Sequence, residues 1–272
     1  MRTRAKKAYK NLEFLISREA RTIRILSEYL EPRARFAHYN ITDTVVFFGS
    51  ARALAPDVAQ GQLREAETSG DAQRLAGARQ AVRLSRYHDD ATTLARLLTE
   101  WSKSLQLPER RFIVCSGGGP GMMEAANKGA SQASGLSIGL GISLPSEPSS
   151  NHYITRELNF EFHYFFMRKF WFVYLAKAMV IFPGGFGTMD ELFELLTLIQ
   201  TRKTEKRLPI VLYGKEFWDE VLNLEALVRW GTISAEDLEL FEVFSTPQSA
   251  FDHLRRELTR LYLEPKAAEA GS

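Results

Sequence analysis

Cysteine is nearly absent from this sequence: 272 residues carry one, Cys115. A lone thiol forms no internal disulfide and excludes a cysteine-rich metal knuckle. It closes the apolar run Phe112-Ile113-Val114-Cys115 and reads as a buried small hydrophobe, with a nucleophile as the alternative. Charge of one sign is lacking too. Thirty-five Lys+Arg against 33 Asp+Glu leave a net +2, too little to mark a nucleic-acid-binding or membrane-surface protein. No long apolar run is uninterrupted. The richest, 160–182, contains Glu161, His163, Arg168, Lys169 and Lys177, which is wrong for a membrane span. The basic start MRTRAKKAYK lacks the apolar stretch of a signal peptide, so the expected location is the cytoplasm. There is no internal repeat and no low-complexity tract. Nor is there a Gly-x-x-x-x-Gly-Lys-Ser/Thr, which argues against a Walker-type NTPase.

What is present is an alternation of strand and helix signals. Residues 1–40 predict one or two helices, with Leu12, Leu15, Ile16, Ile23, Leu26 and Leu30 at helical spacing and a break at Glu31-Pro32. Thr44-Val45-Val46-Phe47-Phe48 predicts a buried strand ending at Gly49-Ser50. Residues 57–104 predict about two helices, the second starting near Asp89. Further strands are expected at 111–115, 136–142, 158–162, 178–182, 209–213 and near 240–244. Helices are expected at 122–134, 163–177, from after Thr188 to about 201, 216–230 and 247–263, with a loop at 145–152. This predicts an α/β fold, a Rossmann-like doubly wound parallel sheet covered on both faces. The division expected is a helical extension at 1–40, a nucleotide-binding catalytic domain at 41–263 and a frayed tail at 264–272.

Three strand ends carry small-residue turns: Gly49-Ser50-Ala51-Arg52, the stretch 116–121, and the stretch 184–188. In a doubly wound sheet such turns meet at the carboxyl edge, where ligands bind. Glycine lets backbone N–H groups approach an anion, and a following helix adds its unpaired amides and dipole. Two turns followed by helices predict a phosphate cradle. Glu124 stands where a helix start would face a pyrophosphate, so a monophosphate fits better than a full dinucleotide. Glu124 and Asp190 are also explained by macrodipole stabilisation. Glu191 falls three residues after Thr188, a spacing that fits a capping box as well as a carboxylate aimed at a sugar. Arg168, in an aromatic-rich helix, reads as part of a solvated stripe or as a cation turned toward an anionic ligand.

At this point the motifs resemble those of a known family. Pro183-Gly184-Gly185-Phe186-Gly187-Thr188-Met189-Asp190-Glu191 resembles the PGGxGTxxE signature of the LONELY GUY (LOG) family. Phe48-Gly49-Ser50-Ala51-Arg52, SGGGPGMMEAAN at 116–127 and Met167-Arg168-Lys169 match in the same order. The resemblance spans about residues 43–214 and is closest to the longer bacterial branch; 1–40 and 53–90 have no counterpart in short members. It implies hydrolysis of the N-glycosidic bond of a nucleoside 5′-monophosphate, of AMP or cytokinin-riboside type, without metal or organic cofactor. It implies that Arg168 and Glu191 are essential, and that Ser50, Gly117, Gly118, Gly184, Gly185, Gly187 and Thr188 hold the 5′-phosphate. Met167 and Glu124 are candidate substrate contacts, and base selectivity is expected around Met167 and the loop at 145–152. Some relatives look like non-catalytic carriers of the molybdenum cofactor, which is the alternative function. Lysine decarboxylation, an older label of the family, needs pyridoxal phosphate on a Schiff-base lysine, and nothing in the sequence marks one. The expected partners are a small nucleotide and a second copy, giving a dimer or higher oligomer. The helix at 163–177 carries more aromatics than one core-facing stripe requires, and family members look like oligomers.

Overall fold

The β-branched and aromatic segment Thr44–Phe48 (β1) is buried throughout and forms the centre of the sheet. A strand sends successive side chains to opposite faces. Val46 and Phe48 accordingly enter one apolar core, while Val45 and Phe47 enter a second core on the other face. A strand buried on both faces needs an unbroken apolar run, and that is what the sequence supplies.

The structure is a computed structural model that describes residues 5–143, 150–204 and 206–264. Among them, β1 is joined by Ile113–Ser116 (β2), Ser137–Ile142 (β3), Asn159–Phe162 (β4), Ala176–Ile181 (β5), Ile210–Tyr213 (β6) and Glu242–Phe244 (β7). All pairings are parallel, in the order β4-β3-β2-β1-β5-β6-β7. The helices are Leu12–Ile16 (α1), Arg21–His38 (α2), Pro56–Ser69 (α3), Ala72–Ser104 (α4), Met122–Gln132 (α5), Phe165–Tyr174 (α6), Phe186–Gln200 (α7), Lys215–Val221 (α8), Leu224–Arg229 (α9) and Pro247–Tyr262 (α10). Helices α4, α5 and α10 supply the core containing Val45. Helices α2, α6, α7 and α8 supply the core containing Val46. The fold is therefore the expected doubly wound α/β sheet.

Several boundaries differ from the sequence expectation, each for a local reason. Helix α2 runs through Pro32 instead of breaking there. Proline removes one N–H from a helix, and the carbonyl it would have served, that of Glu28, accepts instead from the Trp171 indole at 2.9 Å. Helix α4 begins at Ala72, well before Asp89, because Gly70 ends α3 in the left-handed region and the Asp71 carboxylate caps Gln73 and Arg74. The helix expected over 216–230 is two, since Asn223 starts α9 with its own side-chain cap. Helix α6 is shorter than the stretch 163–177, and β5 starts at Ala176. Of the expected loop at 145–152, only 150–152 lies within the described residues; of the tail at 264–272, only Glu264 does. Among the described residues no helix is long and apolar enough to cross a membrane.

Candidate active site

β1 and β5 are neighbours whose following chain segments lead to opposite halves of the sheet, β1 toward β2–β4 and β5 toward β6 and β7. Ligands of open α/β sheets bind at the carboxyl ends of such a pair. Two backbone hydrogen bonds hold the turns there side by side. The Phe182 amide donates to the Phe48 carbonyl at 2.8 Å, and the Ser50 amide donates to the Pro183 carbonyl at 2.9 Å. Above them opens a cavity of about 740 Å³, within the range that encloses a small organic ligand.

The two Gly-turn helices differ in what they offer an anion. The α5 amide at Met122 already donates to the Ser50 carbonyl at 3.1 Å. Gly121, at φ +70°, is packed so closely on the Ser50 and Ala51 backbone that any Cβ would collide with it. The first α5 amide is therefore already taken by the neighbouring turn. Helix α7 is different: Gly185 is its N-cap, no side chain caps it, and Gly184, Gly185, Phe186, Gly187 and Thr188 all line the cavity. A helix leaves its first amides without intrahelical partners and its positive dipole end exposed. The α7 turn is thus the candidate element for holding an anion. Thr188 packs its hydroxyl against Gly184, where a Cβ would overlap it.

Arg168, on α6, reaches into this cavity from the side of β3. Its Nε donates to the Leu140 carbonyl at 2.8 Å, and the guanidinium stands 5.1 Å from the Phe172 ring centre. Lys169, the next residue, turns the other way and pairs with Asp190 at 2.8 Å and Glu194 at 2.6 Å, tying α6 to α7.

Glu191, only 9% exposed, lines the same cavity. Burial pushes its carboxyl up to about 7, against the opposing pull of Lys169 and Arg168. Desolvation wins over both cations, which leaves a carboxylate balanced between its two states near neutral pH. No capping box exists here. Helix α7 is capped at Gly185, so Thr188 lies inside its first turn and cannot act as the cap to which Glu191 would respond.

Of the residues expected from sequence, Ser50, Gly117, Arg168, Gly184, Gly185, Gly187, Thr188 and Glu191 line one cavity. Gly118, Glu124 and Met167 do not. Gly118, at φ +76°, shapes its turn, donating to Ser116 Oγ and accepting from the Asn151 amide. Glu124 lies close enough to His88 of α4 to act on its charge, and Met167 is buried in the core under α6. Arg52, Met123, Ile142, Phe165, Phe186 and Val221 line the cavity without having been anticipated individually. The signal for Arg52 was its place in the first turn; the apolar wall carries no motif. Cys115 is buried, and burial pushes its thiol far above the ordinary range, which suits a core residue and not a nucleophile.

Residues 123–254 match the family model described as "Possible lysine decarboxylase". A curated relative, the pyrimidine/purine nucleotide 5′-monophosphate nucleosidase of Escherichia coli (strain K12), is 36% identical over 140 residues, 45% of this chain and 29% of that protein. Over that segment this chain is similar to the LOG family. It spans under a third of the length of the curated relatives it matches. Among solved structures, a structural-genomics crystal structure aligns at 19% identity and TM-score 0.47, covering 79% of this chain and 99% of that one. The molybdenum cofactor carrier protein of Chlamydomonas reinhardtii aligns at 18% and 0.46, covering 81% and 99%. The words "lysine decarboxylase" attached to this LOG family model imply pyridoxal phosphate, whose Schiff base needs a lysine amine. Among the described residues no lysine lines the cavity, and Lys169 beside it is held between two carboxylates. The residues do not fit that group.

Proposed function

We propose that this chain is a LOG-family enzyme that hydrolyses the N-glycosidic bond of a nucleoside 5′-monophosphate, releasing free base and ribose 5-phosphate. The observation that carries this reading is the convergence, in one cavity, of an open helix N-terminus, Arg168 and a buried Glu191. The relatives' names point to the same class of reaction.

The α7 amides and the Arg168 guanidinium hold the 5′-phosphate, the anion to which a planar fork and a helix start are complementary. With the phosphate anchored, the ribose lies over Glu191. Cleavage passes through a ribosyl cation. The glycosidic electron pair leaves with the base, which takes up a proton, and water adds to C1′ and gives one up. An anionic Glu191 stabilises the cation and accepts the proton from the attacking water; a pKa close to the working pH suits that exchange. The phosphate contributes remote binding energy that positions C1′. The apolar wall of Met123, Ile142, Phe165 and Phe186 receives the base, and AMP and cytokinin riboside monophosphates share the handle that this wall does not select.

Assembly belongs to the same reading. Phe165, Phe166, Phe170 and Tyr174 of α6, with Phe186 and Phe193 of α7, are exposed, and Phe165 and Phe186 also line the cavity; Phe186 is 95% exposed. A second copy covering this face removes them from water and closes the site.

Incubating the purified protein with a nucleotide panel and separating free base from ribose 5-phosphate tests the reaction. Tight nucleotide binding with no base released would overturn it and favour the carrier reading.

A further inference from the structure

Residues before β1 lie outside the matched segment, yet they make specific contacts with the helix that carries Arg168. Resting on the reading above, we propose that Glu28 of α2 is a positioning residue for Arg168, clamping the start of α6 so that the guanidinium is held in the cavity.

The clamp uses both polar ends of one residue. Helix α6 begins at Phe165, and its N-cap, Tyr164, offers no side-chain acceptor. The Glu28 carboxylate, on another helix, holds the backbone leading into α6, accepting from the His163 amide at 2.8 Å and the Tyr164 amide at 3.2 Å. A carboxylate just ahead of a helix start satisfies amides there and complements the dipole. The residue so held also accepts from Arg168, whose amide donates to the Tyr164 carbonyl at 3.2 Å. The main-chain carbonyl of Glu28 forms the second hold. Pro32, four residues on, has no N–H to give it. The Trp171 indole, one turn after Arg168, donates there at 2.9 Å. Around these bonds Tyr29 stacks on Trp171 at 5.9 Å and Phe36 packs on it at 5.4 Å. The α6 segment that carries Arg168 is therefore bracketed by α2 before and after that residue. A merely stabilising helix needs the aromatic packing alone. The proline that frees a carbonyl for Trp171, and the carboxylate placed on the two amides leading into the helix, fix the orientation of α6 as well.

The test is a double-mutant cycle between Glu28→Gln and Arg168→Ala. Glutamine keeps the volume but sets an N–H₂ donor against one of the two amides. Two readouts are taken: kcat and KM for AMP, and the dissociation constant for inorganic phosphate by calorimetry. E28Q is expected to lower kcat/KM by about tenfold, the scale of a small misplacement, and to weaken phosphate binding severalfold. In the R168A background E28Q should change neither. Equal losses in both backgrounds would overturn the positioning role and leave a general loss of stability. No loss in the parent would overturn it outright. If E28Q does not fold, Trp171→Phe, which removes only the indole donor, takes its place in the same cycle: a loss confined to the parent background supports the clamp, and equal losses or none overturn it. The two proposals fail separately. A protein that cleaves no nucleotide but shows the phosphate coupling retains the clamp and loses the nucleosidase reading. A protein that cleaves nucleotides and ignores E28Q does the reverse.

Discussion

The Arg168 guanidinium lies over Gly117 so closely that a Cβ there would stand 2.6 Å from Nη2. The bare backbone of that turn is what lets the cation occupy its place. The other atom in the way is the Met123 sulfur at 2.7 Å, again the end of a flexible chain. Gly117→Ala should therefore fold, because neither neighbour is rigid, but it should displace the guanidinium. Expected is a thermal midpoint within a few degrees of the parent and a loss in kcat/KM of about 100-fold. Unchanged kinetics would mean that the position of Arg168 over Gly117 is not used.

Arg168 donates its Nε to the Leu140 carbonyl while also lining the cavity. Lysine has one nitrogen and cannot do both. Arg168→Lys should lose activity nearly as far as Arg168→Ala, with both variants folded by circular dichroism. Full rescue by lysine would show that a point charge suffices.

Much of this site was legible in the sequence because its parts are local. A glycine turn at the end of an apolar strand announces itself, and three of them in alternation with helices pointed to the sheet and its ligand edge. The unreadable parts depend on long-range contacts. Sequence spacing alone left Glu191 open to a capping box; the position of Gly185 as N-cap excludes that. The α5 turn looks as open as the α7 turn in sequence, because Ser50, which takes its first amide, lies more than seventy residues earlier. Pro32 reads as a helix end, since nothing local shows that Trp171 would take the carbonyl it strands. Glu124 and Met167 sit beside true motif residues, but one faces α4 and the other the core.

If the open start of α7 is the phosphate site, the 5′-phosphate contributes binding that a nucleoside lacks. Charge-assisted hydrogen bonds contribute about 1.5–3 kcal/mol each. Two of them imply that kcat/KM for AMP exceeds that for adenosine by about 100-fold or more. A release assay on both substrates checks this. Equal rates would remove phosphate from recognition and point to an ordinary nucleosidase.

Assembly has a sharper probe than the aromatic richness of α6 suggested. Trp171 and Phe172 are buried within one chain, so a charge there tests folding. Phe166 is about half exposed and tests the interface. Light scattering at micromolar concentration should give at least twice the 30.9 kDa chain mass. Phe166→Glu should lower that mass while the chain stays folded. A parent at the monomer mass would refute the assembly.

Glu191 links the site to stability through pH, and the sign is fixed by its environment. Its carboxyl rises from the ordinary 4.5 to about 7 because burial disfavours the anion. Between those values the folded protein holds a proton that the unfolded chain has released. Stability therefore falls as pH climbs from about 4.5 to 7 and is level, at its lowest, beyond. Glutamine stays neutral throughout, so Glu191→Gln should be more stable than the parent at pH 8. The full shift corresponds to up to about 3 kcal/mol. The advantage should shrink below pH 7 and vanish near pH 4.5. Denaturant unfolding of both proteins at one concentration, at half-unit pH steps, measures the difference, and groups common to both cancel from it. The same substitution should abolish turnover while nucleotide affinity stays within about tenfold, because the phosphate anchors the ligand elsewhere. A variant that is inactive yet gains stability at high pH carries the signature of a charge held in a site for chemistry at the expense of the fold. If E191Q is no more stable than the parent at pH 8, the carboxylate is not strained by burial, and its tuning toward neutral pH is wrong.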